Sequence, residues 1–206
     1  MKFTITIDGP AAAGKGTISK AISKQYGLPH LDTGLLYRAT AARSLLGEDP
    51  VKAASSLTSE DLARPNLRTA DVAQEASKVS AIPEVRAALT EFQKSFARRT
   101  GGAVLDGRSI AVEICPEAEV KIFLTADNTT RAARRYEQMI EQGQLTTYEE
   151  VLSDMTIRDA RDSTRDIVPT QAAPGALIID TTQLTTEEVI QVAYAAIDPV
   201  FAKAAA

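Results

Sequence analysis

The segment Gly9-Pro10-Ala11-Ala12-Ala13-Gly14-Lys15-Gly16-Thr17 follows the apolar run Phe3-Thr4-Ile5-Thr6-Ile7 and opens a stretch of helical character. A strand, a glycine-rich turn and a helix start, in that order, make a phosphate cradle. Glycines at both ends let the backbone aim several N–H groups at one anion, and the helix dipole adds to the attraction. Lys15 stands where an ammonium reaches the outer phosphates of a nucleoside triphosphate, and Thr17 offers a hydroxyl near the place where Mg²⁺ would bridge them. The expectation is an ATP-binding loop over residues 9–17, with Lys15 catalytic and standing at an exposed loop–helix junction, and with Thr17 a metal contact. A glycine-rich turn occurring by chance is the alternative, and the flanking strand and helix count against it.

The strict form of this loop places Ser or Thr directly after Lys15, where this chain has Gly16, with Thr17 one place later. Direct and water-mediated contact of Thr17 with the metal both stay open. The GKGT form resembles nucleoside monophosphate kinases.

The chain has 206 residues, enough for one well-filled α/β domain. The N-terminus lacks a secretory apolar region and no stretch is long enough to span a bilayer, so a soluble cytoplasmic protein is expected, with no membrane partner. The net charge of −4 argues against a nucleic-acid surface. The single cysteine, Cys115, excludes an internal disulfide and reads as a buried or half-buried spectator; the single histidine, His30, reads as a turn-to-strand residue rather than a general base. Arginines cluster at Arg131, Arg134 and Arg135 and again at Arg158, Arg161 and Arg165. Such concentrations suit phosphorylated ligands, because the planar guanidinium takes two phosphate oxygens at once. The first cluster also fits a solvated helix face of mixed charge.

Apolar runs at Phe3–Ile7, His30–Asp32, Ala103–Asp106, Val120–Thr125 and Ala176–Asp180 read as strands. Between them, helices are expected over Leu35–Leu46, over Glu84–Arg99 opened by Pro83, and over Asn128–Gln142 capped by Asp127 and ended by Gly143. Thr147-x-x-Glu150 and Thr185-x-x-Glu188 have the form of capping boxes. Strands alternating with helices imply a largely parallel sheet. The stretch from Gly47 to Ala81 has helical spacing and no obvious strand and reads as an insertion, and Ala202–Ala206 reads as a frayed tail.

Asp32 and Asp106 each close a strand, the usual place for a carboxylate partner of a phosphate-bound Mg²⁺, and Arg38 and Arg108 follow them at the same rim. A helix cap or a loop ion pair is the plainer reading of each carboxylate. Arg158, Arg161, Asp162 and Arg165 share one face if helical, and Pro169 and Pro174 then stop that helix, so the segment suits a lid.

Together, Ile7-Asp8-Gly9-Pro10 with Gly14-Lys15-Gly16-Thr17, Leu31-Asp32-Thr33-Gly34 with Tyr37-Arg38, Asp106-Gly107-Arg108, and Arg158-Asp159 through Arg161-Asp162-Ser163-Thr164-Arg165 with Pro169 resemble the bacterial cytidylate kinases almost end to end. The resemblance implies a P-loop nucleoside triphosphate hydrolase-like α/β fold with a five-stranded parallel sheet flanked by helices. It implies one domain, with a core over residues 1–46, 100–126 and 175–200, a nucleoside monophosphate-binding insertion over 47–99 and a lid over 143–170. It implies transfer of the ATP γ-phosphoryl group to CMP or dCMP, with Mg²⁺, by a monomer. By the same resemblance Lys15, Arg108, Arg158, Arg161 and Arg165 are catalytic, and Arg131 and Arg134 join the loop in binding ATP. Ser77 and Arg86 would read the cytosine, Arg158 and Asp162 lie near the sugar, and Thr33, Arg38, Arg108, Ser109 and Arg165 line the rest of the acceptor site. The metal contacts would be Thr17, Asp32 and Asp106.

Two departures stand out. The family commonly has Asp after Gly-Arg where this chain has Ser109, so base or sugar selectivity is expected to shift. The insertion is also compact, without room for a strand-rich extension. Rival readings are a kinase of the same class acting on UMP, AMP or shikimate, and a GTP-hydrolysing switch; the second needs an Asn-Lys-x-Asp signature that the chain lacks.

Overall fold

The computed structural model of the protein describes residues 2–163 and 170–205. Strands β1 (Thr4–Asp8), β2 (His30–Asp32), β3 (Ala103–Gly107), β4 (Val120–Thr125) and β5 (Leu177–Asp180) form one sheet in the order β2-β3-β1-β4-β5, with every neighbouring pair parallel. All five expected strands are present, each within a residue of its expected bounds. β1 is buried at every residue, as a parallel sheet covered on both faces requires. Its Thr4 and Thr6 are tolerated there because they are β-branched and their hydroxyls donate to the carbonyls of Ala97 (2.6 Å) and Val120 (3.5 Å).

The helices follow in chain order as α1 (Lys15–Tyr26), α2 (Thr33–Ser44), α3 (Pro50–Ser55), α4 (Ser59–Leu62), α5 (Ala70–Val79), α6 (Pro83–Ala97), α7 (Asn128–Glu141), α8 (Tyr148–Ser163) and α9 (Thr186–Ala205). The caps read from sequence form. Asp127 accepts the Thr130 N–H at 2.6 Å. The Thr147/Glu150 and Thr185/Glu188 pairs each form the two backbone-to-side-chain bonds of a capping box, of 2.8 and 3.2 Å in both cases. α2 begins at Thr33 rather than Leu35, because the Asp32 carboxylate accepts the Leu35 N–H at 3.2 Å and so caps the helix two residues earlier.

One expectation is overturned at the C-terminus. Residues up to Ala205 continue α9 instead of fraying, since the alanines favour helix and Phe201 packs edge-on against Phe3 with ring centroids 5.1 Å apart. The main core brings Ile5, Ile7, Ile18, Ile22, Leu124 and Ile197 together from β1, α1, β4 and α9. Among the described residues the stretch over 47–97 holds helices and no strand, and Leu67, Val72, Ala76 and Val79 pack on Ala39, Ala41 and Ala42 of α2.

A single π-helical turn, Ile110–Ile114, follows β3 and has no counterpart in the sequence reading. Its cause is tertiary: the carboxylate of Asp8 accepts the N–H groups of both Ile110 and Ala111, each at 2.8 Å. Cys115 closes the turn as a buried thiol, pushed up by burial, as a spectator requires. No helix among the described residues is long and apolar enough to cross a membrane.

Candidate active site

The connection leaving β1 runs toward the β2 edge and the one leaving β3 runs toward β5, which makes the crevice beyond their carboxyl ends the switch point where α/β sheets bind ligands. A cavity of about 1080 Å³ opens there. One wall is the loop from Ala11 to Thr17, and the facing wall carries Thr33, Arg38, Arg86, Arg108 and Ser109, with Arg134, Arg158 and Asp162 also on the lining.

The loop takes its shape from two glycines. Gly9 has φ +146°, and a Cβ on it would stand 2.0 Å from the Leu124 carbonyl oxygen of β4. Gly14, at φ 92°, is the N-cap of α1, and its carbonyl accepts the N–H groups of Thr17 (3.1 Å) and Ile18 (3.2 Å). Lys15 is buried rather than exposed: its side chain folds back over the loop, and Nζ donates to the Pro10 carbonyl at 2.7 Å. Burial, with Arg108 nearby, lowers the ammonium to about 7, against the opposing pull of Asp106. An ammonium held this way has one backbone acceptor and a strong electrostatic demand for an anion.

Asp8, Asp32 and Asp106 sit at the carboxyl ends of neighbouring strands. Asp32 and Asp106 are partners in the β2–β3 register, and Ile7 partners Asp106 in the β1–β3 register. Burial raises the Asp8 carboxyl to about 6, although two N–H groups from the π-helical turn oppose the rise. Asp32 caps α2 with one oxygen and pairs with Arg68 at 3.1 Å through the other. Asp106 meets His30, whose Nε2 lies 2.6 Å from Oδ2. The plainer reading of Asp32, a helix cap and a loop ion pair, therefore holds.

On the facing wall, Thr33 donates to the Asp106 carbonyl (2.8 Å) and Arg38 donates to the Leu67 carbonyl (2.8 Å). Burial, then the like charges of Arg135 and Arg68, lower Arg38 to about 10. Asp162 is a hub. It accepts from Ser77 at 3.3 Å and from Arg108 Nε at 3.2 Å, and Arg158 Nε lies 3.8 Å from it, so the face read on α8 does deliver Arg158 and Asp162 to the cavity. Burial, then Arg108, lower Arg158 to about 9.

The remaining expected residues fall elsewhere. Gly9, Pro10 and Ser77 support the cavity without lining it. Arg131 is buried behind the loop, paired with Asp159 at 2.6 Å and donating to the carbonyls of Ala126 (3.0 Å) and Ala11 (3.2 Å). It ties α7 and α8 to the loop, so neither a solvated face nor direct lining describes it. Arg134 does line the cavity and donates to Thr181 through both its hydroxyl (2.8 Å) and its carbonyl (2.6 Å). Arg161 does not line the cavity, and its Nη1 is buried with no hydrogen-bond partner among the described residues. Arg165 lies outside the described residues.

Two side chains bear on the site without a sequence signal strong enough to find them. Asp8 could have been suspected as a carboxylate closing an apolar strand, but its partners are 102 residues away or more. Glu113 lies four residues beyond Ser109, lines the cavity, and takes a two-point contact from Arg86 and a 3.2 Å hydrogen bond from the Ser109 hydroxyl.

Comparison with known proteins agrees with this architecture. A family model described as cytidylate kinase matches residues 5–57 and 48–198. The chain is 54% identical over 198 residues to a cytidylate kinase of Cereibacter sphaeroides (strain KD131 / KCTC 12085), covering 96% of each chain. It is 49% identical over 197 residues to one of Methylocella silvestris, covering 92% of this chain and 91% of that one. Among solved structures, an uncharacterized protein from Eubacterium ventriosum ATCC 27560 superposes with a TM-score of 0.58 at 15% identity, covering 96% of this chain and 99% of that one. A gluconokinase from Sinorhizobium meliloti 1021 does so at 0.50 and 14% identity over 97% of each, a likeness of fold. With the family model spanning nearly the whole chain and close to half or more of the residues shared with these relatives, the protein belongs to the cytidylate kinase family.

Proposed function

We propose that the protein transfers the γ-phosphoryl group of ATP, carried as its Mg²⁺ complex, to the phosphate of CMP or dCMP, giving the diphosphate and ADP. The observation that carries this reading is the single cavity with a phosphate-cradling loop on one wall and an arginine-rich wall facing it. Its volume of about 1080 Å³ slightly exceeds the usual ~300–1,000 Å³ of small-molecule sites, which suits two nucleotides held end to end.

Phosphoryl transfer of this kind depends on positioning and on charge stabilisation rather than on a side-chain base, because the acceptor is already an anion. Lys15 and the loop amides hold the donor phosphates, and Arg38 and Arg108 orient the acceptor phosphate. Arg158, Arg161 and Arg165 neutralise charge spreading over the transferred group. In the resting protein Arg108 and Arg158 share Asp162 and Lys15 is tied to Pro10, so nucleotide phosphates exchange these internal partners for stronger charged ones.

The donor set fits Mg²⁺ brought in by the nucleotide. Thr17, Asp32 and Asp106 line one cavity, whereas no group of three or more His, Cys, Asp or Glu that could cage a metal occurs among the described residues. Mg²⁺ ordinarily keeps several waters and takes one or two carboxylates beside substrate phosphates.

In this reading residues 47–99 form the acceptor-binding insertion and 143–170 the lid. The protein works as a cytoplasmic monomer on small nucleotides, away from nucleic acid. A coupled assay for ADP formation with ATP, Mg²⁺ and each of CMP, dCMP, UMP and AMP tests it. Turnover with CMP and dCMP far above that with AMP is expected, and absence of CMP turnover overturns the reading.

A further inference from the structure

We infer that Glu113 is a base-specificity residue, whose carboxylate accepts the exocyclic amino group of the acceptor's cytosine. The inference rests on the cytidylate kinase reading given above. A carboxylate on the wall of a cavity meant for two polyanions is tolerated where a cation pairs with it, as Arg86 pairs with Glu113, and its remaining acceptor capacity then suits an uncharged, hydrogen-donating part of a ligand. The positive charges available to phosphates are those around Lys15, Arg38, Arg108 and Arg158. Glu113 stands apart from them, on the π-helical turn, beside Arg86 and Ser109.

The hydrogen bonding leaves room for such a contact. Arg86 Nε donates to Oε1 of Glu113 at 3.2 Å and Nη2 donates to Oε2, while Nη1 donates to the Ser80 carbonyl at 3.1 Å. A guanidinium has five N–H bonds, so two remain beyond these contacts for the ring nitrogen and carbonyl of a pyrimidine. Oε2 also accepts from Ser109, which leaves Oε1 with the lighter load and able to accept one more donor. Cytosine supplies that donor from its amino group. Uracil puts a carbonyl oxygen at the same place and a ring N–H opposite the arginine, so two like partners would face each other. The pair thus presents an acceptor and a donor fork side by side, complementary to cytosine and mismatched to uracil.

The placement of this carboxylate is built into the fold. The Ser109 hydroxyl donates to Glu113 at 3.2 Å and so holds the carboxylate from the start of the turn. The turn bearing Glu113 is anchored by Asp8, the residue that also leads into the donor loop, through the N–H groups of Ile110 and Ala111. The carboxylate is thereby held between Ser109 and Arg86.

The test is steady-state kinetics at saturating ATP and Mg²⁺ with CMP and UMP varied separately, on the wild-type chain, Glu113→Gln, Glu113→Ala, and Glu113→Ala combined with Ser109→Asp. For Glu113→Gln, kcat/KM for CMP should fall by about tenfold or more, mainly through KM, with that for UMP unchanged or raised and KM for ATP unaffected, as expected for loss of a charged hydrogen bond. Adding Ser109→Asp to Glu113→Ala should restore part of the CMP preference, which a merely structural role for Glu113 would not allow. Glu113→Gln keeps the volume and one acceptor oxygen, so it remains informative even if Glu113→Ala fails to fold. A Glu113→Gln enzyme whose kcat/KM values for CMP and UMP both stay within twofold of wild type overturns the assignment alone. A wild-type chain without CMP turnover overturns both the assignment and the functional reading beneath it.

Discussion

Replacing Gly9 by Ala should unfold the donor loop from beneath, while the same replacement at Gly16, inside the same motif, should leave stability almost unchanged. At Gly9 the added methyl would sit 2.0 Å from the Leu124 carbonyl oxygen and 3.0 Å from its carbon, both backbone atoms of β4 that no side-chain rotation can move aside. The residue also has φ +146°, a conformation reserved almost wholly for glycine and costing about 1–3 kcal/mol for anything else. Relief by separating β1 from β4 strains a central pairing of the sheet, and overpacking of this kind costs about 1–3 kcal/mol more. The sum, roughly 2–6 kcal/mol, is a large part of the ~5–15 kcal/mol by which a domain is stable. Gly16 lies in the first turn of α1, where an added methyl would meet no atom of the described residues within 4 Å, and helix propensity there favours Ala by up to about 1 kcal/mol. Urea denaturation followed by circular dichroism reads both variants. Equal midpoints for Gly9→Ala and wild type, or a large loss in Gly16→Ala, would refute the close approach of this loop to β4.

Lys15→Ala should keep the fold and lower kcat by about a thousandfold, the loss expected when a charge contact to the transferring group disappears; near-normal turnover in the coupled assay removes Lys15 from the mechanism. Arg161→Ala should cost on the order of a thousandfold in kcat with a smaller change in ATP affinity, and Lys should rescue poorly because it lacks the bidentate fork; full kcat removes Arg161 from the mechanism. Stability should rise with pH just above neutrality, because burial holds the Lys15 ammonium at about 7 while an unfolded lysine keeps its proton to about 10.5. The cost of burying the charge is complete below pH 7 and lifts as the folded protein sheds the proton, by about 2 kcal/mol between pH 7 and 8.5. Denaturation midpoints at the two pH values measure it, and Lys15→Met should abolish the difference; an equal difference in that variant assigns the effect to another group.

The sheet, the loop and the caps were legible in the sequence because each is set by local chemistry. Alternating β-branched and apolar runs bounded by turns make strands wherever they are packed, and a Thr three residues before a Glu closes its own hydrogen bonds at Thr147 and Thr185. The same locality explains why Lys15, Thr17, Asp32, Arg38, Asp106, Arg108 and Arg158 could be placed at one rim: each follows a strand end or a helix face by a fixed number of residues. What the chain could not reveal is how those groups are paired across long separations. The π-helical turn exists because Asp8, 102 residues before Ile110, accepts its N–H, and Arg131 leaves the cavity because Asp159 and the Ala11 carbonyl claim its guanidinium. Glu113 shows the same limit most plainly. One glutamate among many becomes a candidate reader of a base only when tertiary packing brings it against Arg86, since burial and hydrogen-bond partners, unlike helix period or cap spacing, are properties of the folded contact and not of the neighbouring residues.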